Sequence, residues 1–372
     1  MPPSTLWGVT RRGKVFQLGT RGCQWKPLRH QQGVKRLATV HDLAWAVGSD
    51  HHIYIYIPIR DIPIRCKEVT FENQRWNPME GFSGRLLPTD RPQFSSEHGL
   101  ENLPKSKFQL PSSSWQWETE WAIEDNLEGQ PLDPEGWTYA FDFPANFGPS
   151  KHWNSMVRRR KWFRYRRFIA MDSWASIPGI HEDPVKEPFI DVAIGGTEIS
   201  GGDPNHYSVW AVTILGQIVY RAGVTTWCPE GTEWVPVSVP AGAEVSQVDV
   251  GPHGQVWAVC WDGSALVRVG VSRHNIYVHM VQAMIIMVCR SRRLLLLPDL
   301  GTGTGWLAVA APSPEAHLIQ VAIGSNVVWA TCKLGKVCSP KGVQGANIST
   351  IGVGWVEMVG QMAMLSVAPF DQ

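Results

Sequence analysis

A short tryptophan-containing signature that recurs along the chain constrains the fold more than any other feature. The copies read LWGV at 6–9, AWAV at 44–47, VWAV at 209–212, VWAV at 256–259 and VWAT at 328–331. Each copy is followed within a few residues by Gly or Asp and then by a second apolar run, which is the pattern of a β-hairpin. Since further apolar segments follow the hairpins, the repeat predicts units of four strands with a period of about 45 residues, as in the blades of a β-propeller.

The spacing of the copies predicts the domain organisation. The interval from Trp45 to Trp210 is far too long for one repeat, and the interval from Trp257 to Trp329 is somewhat too long. We therefore predict an all-β fold with about five blade units: first blades in 1–60, an inserted β-rich domain in 61–172, and remaining blades in 173–372, with a divergent insertion at 276–302. A propeller shelters its sheet edges by closing its ring. With about five units, we expect the ring to be incomplete and the blades to form an open arc.

The most strongly charged segment is VRRRKWFRYRR at 157–167, in which seven residues are cationic and three are aromatic. A helix would carry charge on every side, so we predict a strand, whose alternate side chains point to opposite faces. One face then carries Arg158, Arg160, Trp162, Arg164 and Arg166. Upstream tryptophans and carboxylates could satisfy these guanidinium groups through cation–π contacts and ion pairs. A nucleic-acid-binding patch and a solvated charged face are the alternatives.

Composition and motifs argue against several classes of function. The net charge is +1, so no global field draws the chain to nucleic acid. The seven cysteines include no CxxC pair, which disfavours a disulfide framework or zinc site and favours a reducing compartment. The histidines lack metal-ligand spacing and no nucleophile motif is present, so we predict a non-enzymatic protein without a catalytic residue, metal or cofactor. The sequence shows neither a signal peptide nor an apolar run suited to a bilayer, and we expect a cytosolic protein.

Several longer motifs carry a resemblance to known families. The blade units resemble tectonin repeats, and the inserted domain resembles a dysferlin domain with its N- and C-terminal halves. The motifs that carry the second likeness are ENQRWNP at 72–78, GRLLPTDRP at 84–92, WQWETEW at 115–121, EGWTYAFDFP at 135–144 and the basic strand itself. A dysferlin domain within a tectonin propeller is the arrangement of tectonin β-propeller repeat-containing proteins, and the likeness covers nearly the whole chain except 276–302.

The resemblance implies a role at membranes. It implies a tether or damage sensor in autophagy that binds sphingomyelin-bearing lysosomal or autophagosomal membrane through the dysferlin domain and promotes autophagosome–lysosome fusion. The implied partners are membrane lipid (sphingomyelin, with phosphoinositide in full-length members) and the autophagy conjugation machinery of full-length members, with no nucleic acid. The implied location is cytoplasmic and peripheral on those membranes. We expect core residues at the blade junctions for Trp7, Trp45, Trp210, Trp257 and Trp329. A tectonin-like lectin that stacks carbohydrate on its blade tryptophans is the alternative function.

Trp153 is the principal candidate for lipid binding. It lies in FGPSKHWNS, a Gly-, Pro- and Ser-containing loop, and an exposed indole there could bury its ring among lipid headgroups. Phe147 is a second candidate, and Lys151 and Arg158 could attract phosphate. The alternative is a ring folded back on its own domain. We predict a structural arginine–tryptophan stack formed by Arg75, Trp76, Trp115, Trp117, Trp121, Trp137, Arg158, Arg160 and Trp162.

Overall fold

The computed structural model describes residues 6–18, 24–28, 32–41, 43–180, 188–199, 203–271, 303–343 and 351–367. The chain divides into two compact units. Unit 1 consists of Met1–Arg60 with Ala170–Gln372, and unit 2 consists of Asp61–Ile169. The predicted divergent insertion at 276–302 lies outside the described residues.

Unit 1 is built from five small antiparallel sheets, which confirms the predicted all-β, five-blade arrangement. Blade 1 consists of β1 (Leu6–Val9), β2 (Val15–Leu18) and β3 (Trp25–Leu28). Blade 2 consists of β4 (Val34–Val40), β5 (Leu43–Gly48), β6 (Ile53–Ile57) and β16 (Ser173–Ser176). Its order, β16-β6-β5-β4, means that this one sheet takes strands from both sides of unit 2 in the sequence.

The other three blades are consecutive in the chain. Blade 3 consists of β17 (Phe189–Gly195), β18 (Ser208–Thr213), β19 (Ile218–Arg221) and β20 (Trp234–Val237). Blade 4 consists of β21 (Val245–Val250), β22 (Val256–Cys260), β23 (Ala265–Val269) and β24 (Gly305–Val309). Blade 5 consists of β25 (Leu318–Ile323), β26 (Val328–Cys332), β27 (Lys336–Pro340) and β28 (Trp355–Gln361).

Three of the five blade tryptophans fill the interior of unit 1, whereas Trp7 and Trp329 are only partly buried, which corrects the prediction for these two. Trp45, Trp210 and Trp257 are completely buried, which confirms the prediction of core residues for these positions. Trp210 and Trp257 belong to two apolar clusters made of side chains from successive blades. The rings of these three tryptophans are therefore not available to stack on a sugar.

Neighbouring blades are joined by polar side chains on their first strands. The first strands of blades 2 to 5 each carry a β-bulge, and the residues that follow the irregularity are Arg36, Asp191, Gln247 and Gln320. Asp191 accepts a hydrogen bond from the backbone N–H of Val248 at 3.0 Å. Gln247 binds both backbone groups of Val321, accepting at 3.0 Å and donating at 3.2 Å. One polar residue at the bulge thus fixes the register of the next blade.

Unit 2 contains one sheet of seven strands and a separate two-stranded ribbon. The sheet strands are β7 (Arg65–Asn77), β8 (Gly81–Ser83), β9 (Phe94–Ser95), β10 (Trp115–Trp117), β11 (Ala122–Ile123), β14 (Trp137–Ala140) and β15 (Val157–Phe168). The ribbon is β12 (Asn126–Leu127) with β13 (Gln130–Pro131), and a short 3₁₀ helix, η1, spans Lys105–Lys107. The identification of this unit as a dysferlin domain stays a prediction.

Candidate functional site

The basic segment is the central strand of the unit 2 sheet, which confirms the predicted strand. Along one edge, β15 pairs with β7 over nearly its whole length, from Val157 opposite Arg75 to Arg167 opposite Arg65. Along the other edge it pairs with β14, β11 and β10 in turn. Every charged side chain of β15 therefore projects above or below a sheet, where neighbouring strands can supply partners.

One face of β15 carries the predicted arginine–tryptophan stack. The guanidinium carbons of Arg158 and Arg160 lie 3.9 and 4.4 Å from the ring centroid of Trp137. Further along the strand, Arg164 lies 4.0 Å from the Trp117 centroid and Arg166 lies 4.7 Å from that of Trp115. Because these cations are partly desolvated, each cation–π contact stabilises the sheet more than an exposed one would.

Glu72 on β7 provides a buried carboxylate that binds two members of this stack. Its Oε2 accepts hydrogen bonds from Arg160 Nε and from Trp162 Nε1, both at 2.8 Å, and the residue is only 8% exposed. Lys105 Nζ lies 2.9 Å from the ring centroid of Trp162 on the stack. Glu72 is thus satisfied by two donors, which offsets the cost of burying its charge.

Three predicted members of the stack have other environments. Arg75 makes hydrogen bonds of 2.6–2.8 Å to the carboxylates of Asp90 and Asp142, and the ring that it lies over is that of Phe143. Trp121 packs edge-on against Phe108, with Lys105 5.8 Å from its centroid. Trp76 is 38% exposed at the end of β7. The prediction that these residues stack arginine on tryptophan is corrected by these contacts.

Trp153 is at the tip of the loop between β14 and β15, and its side chain is 96% exposed. The N–H of Met156 donates to the carbonyl of Ala140 at 3.0 Å and closes the base of the loop, and reciprocal backbone hydrogen bonds between Tyr139 and Gly148, at 2.8 and 2.9 Å, close its first half. At the tip, the N–H of Ser155 donates to the carbonyl of His152 at 3.1 Å, and the Ser155 hydroxyl accepts from the N–H of His152 at 3.0 Å. A closed, pinned turn therefore presents the indole to solvent.

Other apolar side chains lie at the same end of the sheet. The register that sets Val157 opposite Arg75 puts the end of β7 beside the start of β15, and the N–H of Trp76 donates to the carbonyl of Met156 at 2.8 Å. Met156 is 40% exposed, and Met79 in the turn after β7 is 91% exposed. Sequence reasoning missed both methionines; the signal for Met79 was an apolar residue in the polar turn NPMEG.

The other predicted lipid contacts differ in their surroundings. Lys151 is exposed, with its Nζ 5.4 Å from the ring centroid of Phe82. Arg158 donates to Gln74 Oε1 from Nε at 2.9 Å and from Nη2 at 2.7 Å, so its guanidinium belongs to the stack. Phe147 is half-buried and packs against a small core of Ala140, Phe143 and Val157.

Among the residues that the structure describes, no group of three or more His, Cys, Asp or Glu side chains is arranged to hold a metal ion. None of the helices formed by those residues has the length and apolar character needed to traverse a bilayer.

Comparisons with known proteins agree with the repeat that the sequence shows. Residues 208–237 and 255–276 match a family described as "Propeller", and residues 28–164 match one described as "Integral peroxisomal membrane peroxin". The whole chain is 40% identical to a Drosophila melanogaster tectonin beta-propeller repeat-containing protein, covering 26% of it. It is also 40% identical over its whole length to mouse tectonin beta-propeller repeat-containing protein 1, covering 30% of that protein. The crystal structure of human WBSCR16 aligns with 98% of the chain and 67% of its own, at 10% identity and a TM-score of 0.43.

The class of protein is a β-propeller repeat protein. More particularly, the chain belongs to the tectonin β-propeller repeat family, as its resemblance predicted. It spans about a quarter to a third of the length of the two relatives named above.

Proposed function

We propose that this chain is a non-enzymatic membrane tether or damage sensor, in which unit 2 binds lipid and unit 1 is a scaffold of blades. The target is a sphingomyelin-bearing leaflet of lysosomal or autophagosomal membrane. The protein is cytoplasmic and binds this membrane peripherally. The wider role, promotion of autophagosome–lysosome fusion in autophagy, is inferred from the family resemblance.

The exposed ring of Trp153 is the observation that carries this proposal. Backbone hydrogen bonds close this loop, so its stability does not depend on an indole ring that lies in water. At a lipid interface the same ring buries its apolar body and leaves its N–H among the headgroups. The exposed methionines Met79 and Met156 at the same end of the sheet would add apolar area to that contact.

Two further observations support a membrane role. The family described as a peroxisomal membrane peroxin matches a region that includes the Trp153 loop and most of unit 2. Lys151 supplies an exposed cation close in sequence to Trp153, which would attract the phosphate of a headgroup. Most other cations of β15 already have protein acceptors, which disfavours nucleic acid as the ligand of this strand.

Vesicle flotation with the full chain tests the proposal. We expect wild-type protein to float with sphingomyelin-containing vesicles, and Trp153→Ala to bind about thirtyfold more weakly, because an inserted indole contributes about 2 kcal/mol. Trp261→Ala is the matched control, since Trp261 is 59% exposed in unit 1. That variant should float like wild type. Equal flotation of Trp153→Ala and wild type would reject membrane insertion of this loop.

A further inference from the structure

Arg159 differs from the other cations of β15. Arg158 bonds to Gln74, Arg160 to Glu72, Lys161 to Glu124 and Arg166 to Glu68. Arg159 lies on the face opposite Arg158, Arg160 and Arg166, where its guanidinium is 4.8 Å from the ring centroid of Phe71 and 4.3 Å from that of Phe147. Within the described residues, the only hydrogen bond of this guanidinium group runs from Nη1 to the carbonyl oxygen of Glu97, at 3.1 Å.

Arg91 converges on the same carbonyl. Its Nη1 donates to the oxygen of Glu97 at 3.3 Å, and its guanidinium lies 5.8 Å from the centroid of Phe143. Within the part of the chain that the structure describes, neither Arg91 nor Arg159 forms an ion pair with a carboxylate. Two like charges are therefore held within hydrogen-bond reach of one neutral oxygen, against a wall of aromatic rings.

The charges of Arg91 and Arg159 repel each other, and both side chains are partly removed from water. Burial lowers the pKa of Arg91. Burial and then the charge of Arg91 lower the pKa of Arg159 to about 10, against a smaller opposing effect of the Glu97 carboxylate. Where two like charges are held close together and partly removed from water, an anion that binds both offsets their repulsion.

The backbone holds Arg91 in this position. Asp90 closes the preceding turn, since its carboxylate accepts from the N–H of Leu87 at 2.8 Å while it also binds Arg75. The stem of Arg91 then lies over Gly99, whose φ of +76° suits glycine and where a Cβ would overlap the Arg91 side chain. The charge is thus positioned by a turn and a glycine, which is more than an exposed arginine requires.

We propose that Arg91 and Arg159 form a binding site for a phosphate group. Planar guanidinium groups donate paired hydrogen bonds that match phosphate oxygens, and a tetrahedral anion can accept from two of them at once. The rings of Phe71, Phe143 and Phe147 limit access of water and so strengthen the attraction. A lipid headgroup as the source of this phosphate rests on the proposed function, whereas free phosphate does not.

Ligand-dependent stabilisation of the full chain tests the site. Inorganic phosphate should raise the Tm by a few degrees over chloride at equal ionic strength, because a ligand that binds only the folded state stabilises it. Arg91→Gln and Arg159→Gln should each lose this shift. Arg85→Gln, which removes the same charge from an exposed pair with Glu80, should keep it.

Glu97→Gln gives a test that does not depend on a loss of stability. Removing this carboxylate, whose negative charge acts on Arg159 and would repel phosphate, should lower the phosphate concentration that gives half the Tm shift by about threefold. The proposal is overturned if wild-type protein shows no phosphate-dependent shift, if Arg85→Gln loses it as fully as Arg91→Gln does, or if Glu97→Gln weakens it.

Vesicles and soluble headgroup identify the source. If a lipid supplies the phosphate, Arg159→Gln should reduce flotation with sphingomyelin vesicles about tenfold and soluble phosphocholine should reproduce the Tm shift of inorganic phosphate. If free phosphate is the ligand, Arg159→Gln should float normally. Trp153→Ala separates the two proposals: it should lose flotation and keep the phosphate shift, so either proposal can fail while the other stands.

Discussion

Asp191 is a carboxyl group removed from water at the junction of blades 3 and 4. Its Oδ2 accepts the N–H of Val248, and its Oδ1 lies 3.6 Å from Arg36 Nε. Burial raises its pKa from 3.8 to about 7; the hydrogen bond from Val248 and the charge of Arg36 oppose this rise, and the nearby Asp249 carboxylate adds to it. Folding therefore favours the protonated form of this side chain.

The pH dependence of stability follows from the direction of that shift. Between about pH 4 and 7 the unfolded chain has released the Asp191 proton and the folded chain has not, so the contribution of this group to stability falls as pH rises. Asp191→Asn keeps an acceptor for Val248 and cannot ionise. We expect the stability of the variant relative to wild type to increase by about 2 kcal/mol from pH 5 to 7.5. Urea unfolding at both pH values measures this; a difference that does not change with pH would contradict it.

At the scale of a single element, β15 depends on the Glu72–Arg160–Trp162 contact. Arg160→Ala would leave the Glu72 carboxylate buried with one donor fewer and would remove a cation from above Trp137. We expect a loss of about 3 kcal/mol, comparable to breaking other buried ion pairs. Arg85→Ala, in an exposed pair, should cost less than about 0.5 kcal/mol. Thermal unfolding of the two variants makes the comparison, and equal Tm values would show that the stack is dispensable.

How far the sequence predicts these features depends on how local their causes are. Alternation along β15 placed Arg160, Trp162 and Arg164 on one face, because a strand has period two whatever surrounds it. Pairing partners are distant in the sequence, so no local pattern predicts that Arg75 binds carboxylates. For the same reason, none predicts that Arg159 lies near Arg91, which is in the loop after β8. Exposure is likewise set by how a loop closes, and the same FGPSKHWNS segment could have buried Trp153.

At the scale of the whole chain, each compact unit has its own apolar core. Unit 1 buries Trp210 and Trp257 between blades, whereas unit 2 packs Phe143 and Val157. Domains with separate cores commonly unfold in separate steps. We expect calorimetry of the full chain to show two transitions.

One variant in each unit assigns the transitions. Arg160→Ala should lower only the transition of unit 2. Gly195→Ala should lower only that of unit 1, because a Cβ on this β17 residue would overlap the carbonyl oxygens of Val250 and Gly251 in the next blade, at a cost of about 1–3 kcal/mol. If either variant lowers both transitions equally, the units unfold together, and an effect of a unit 2 variant on vesicle or phosphate binding could no longer be assigned to unit 2 alone. Separate shifts would instead allow the Trp153 loop and the Arg91–Arg159 pair to be tested on a background in which the propeller stays folded.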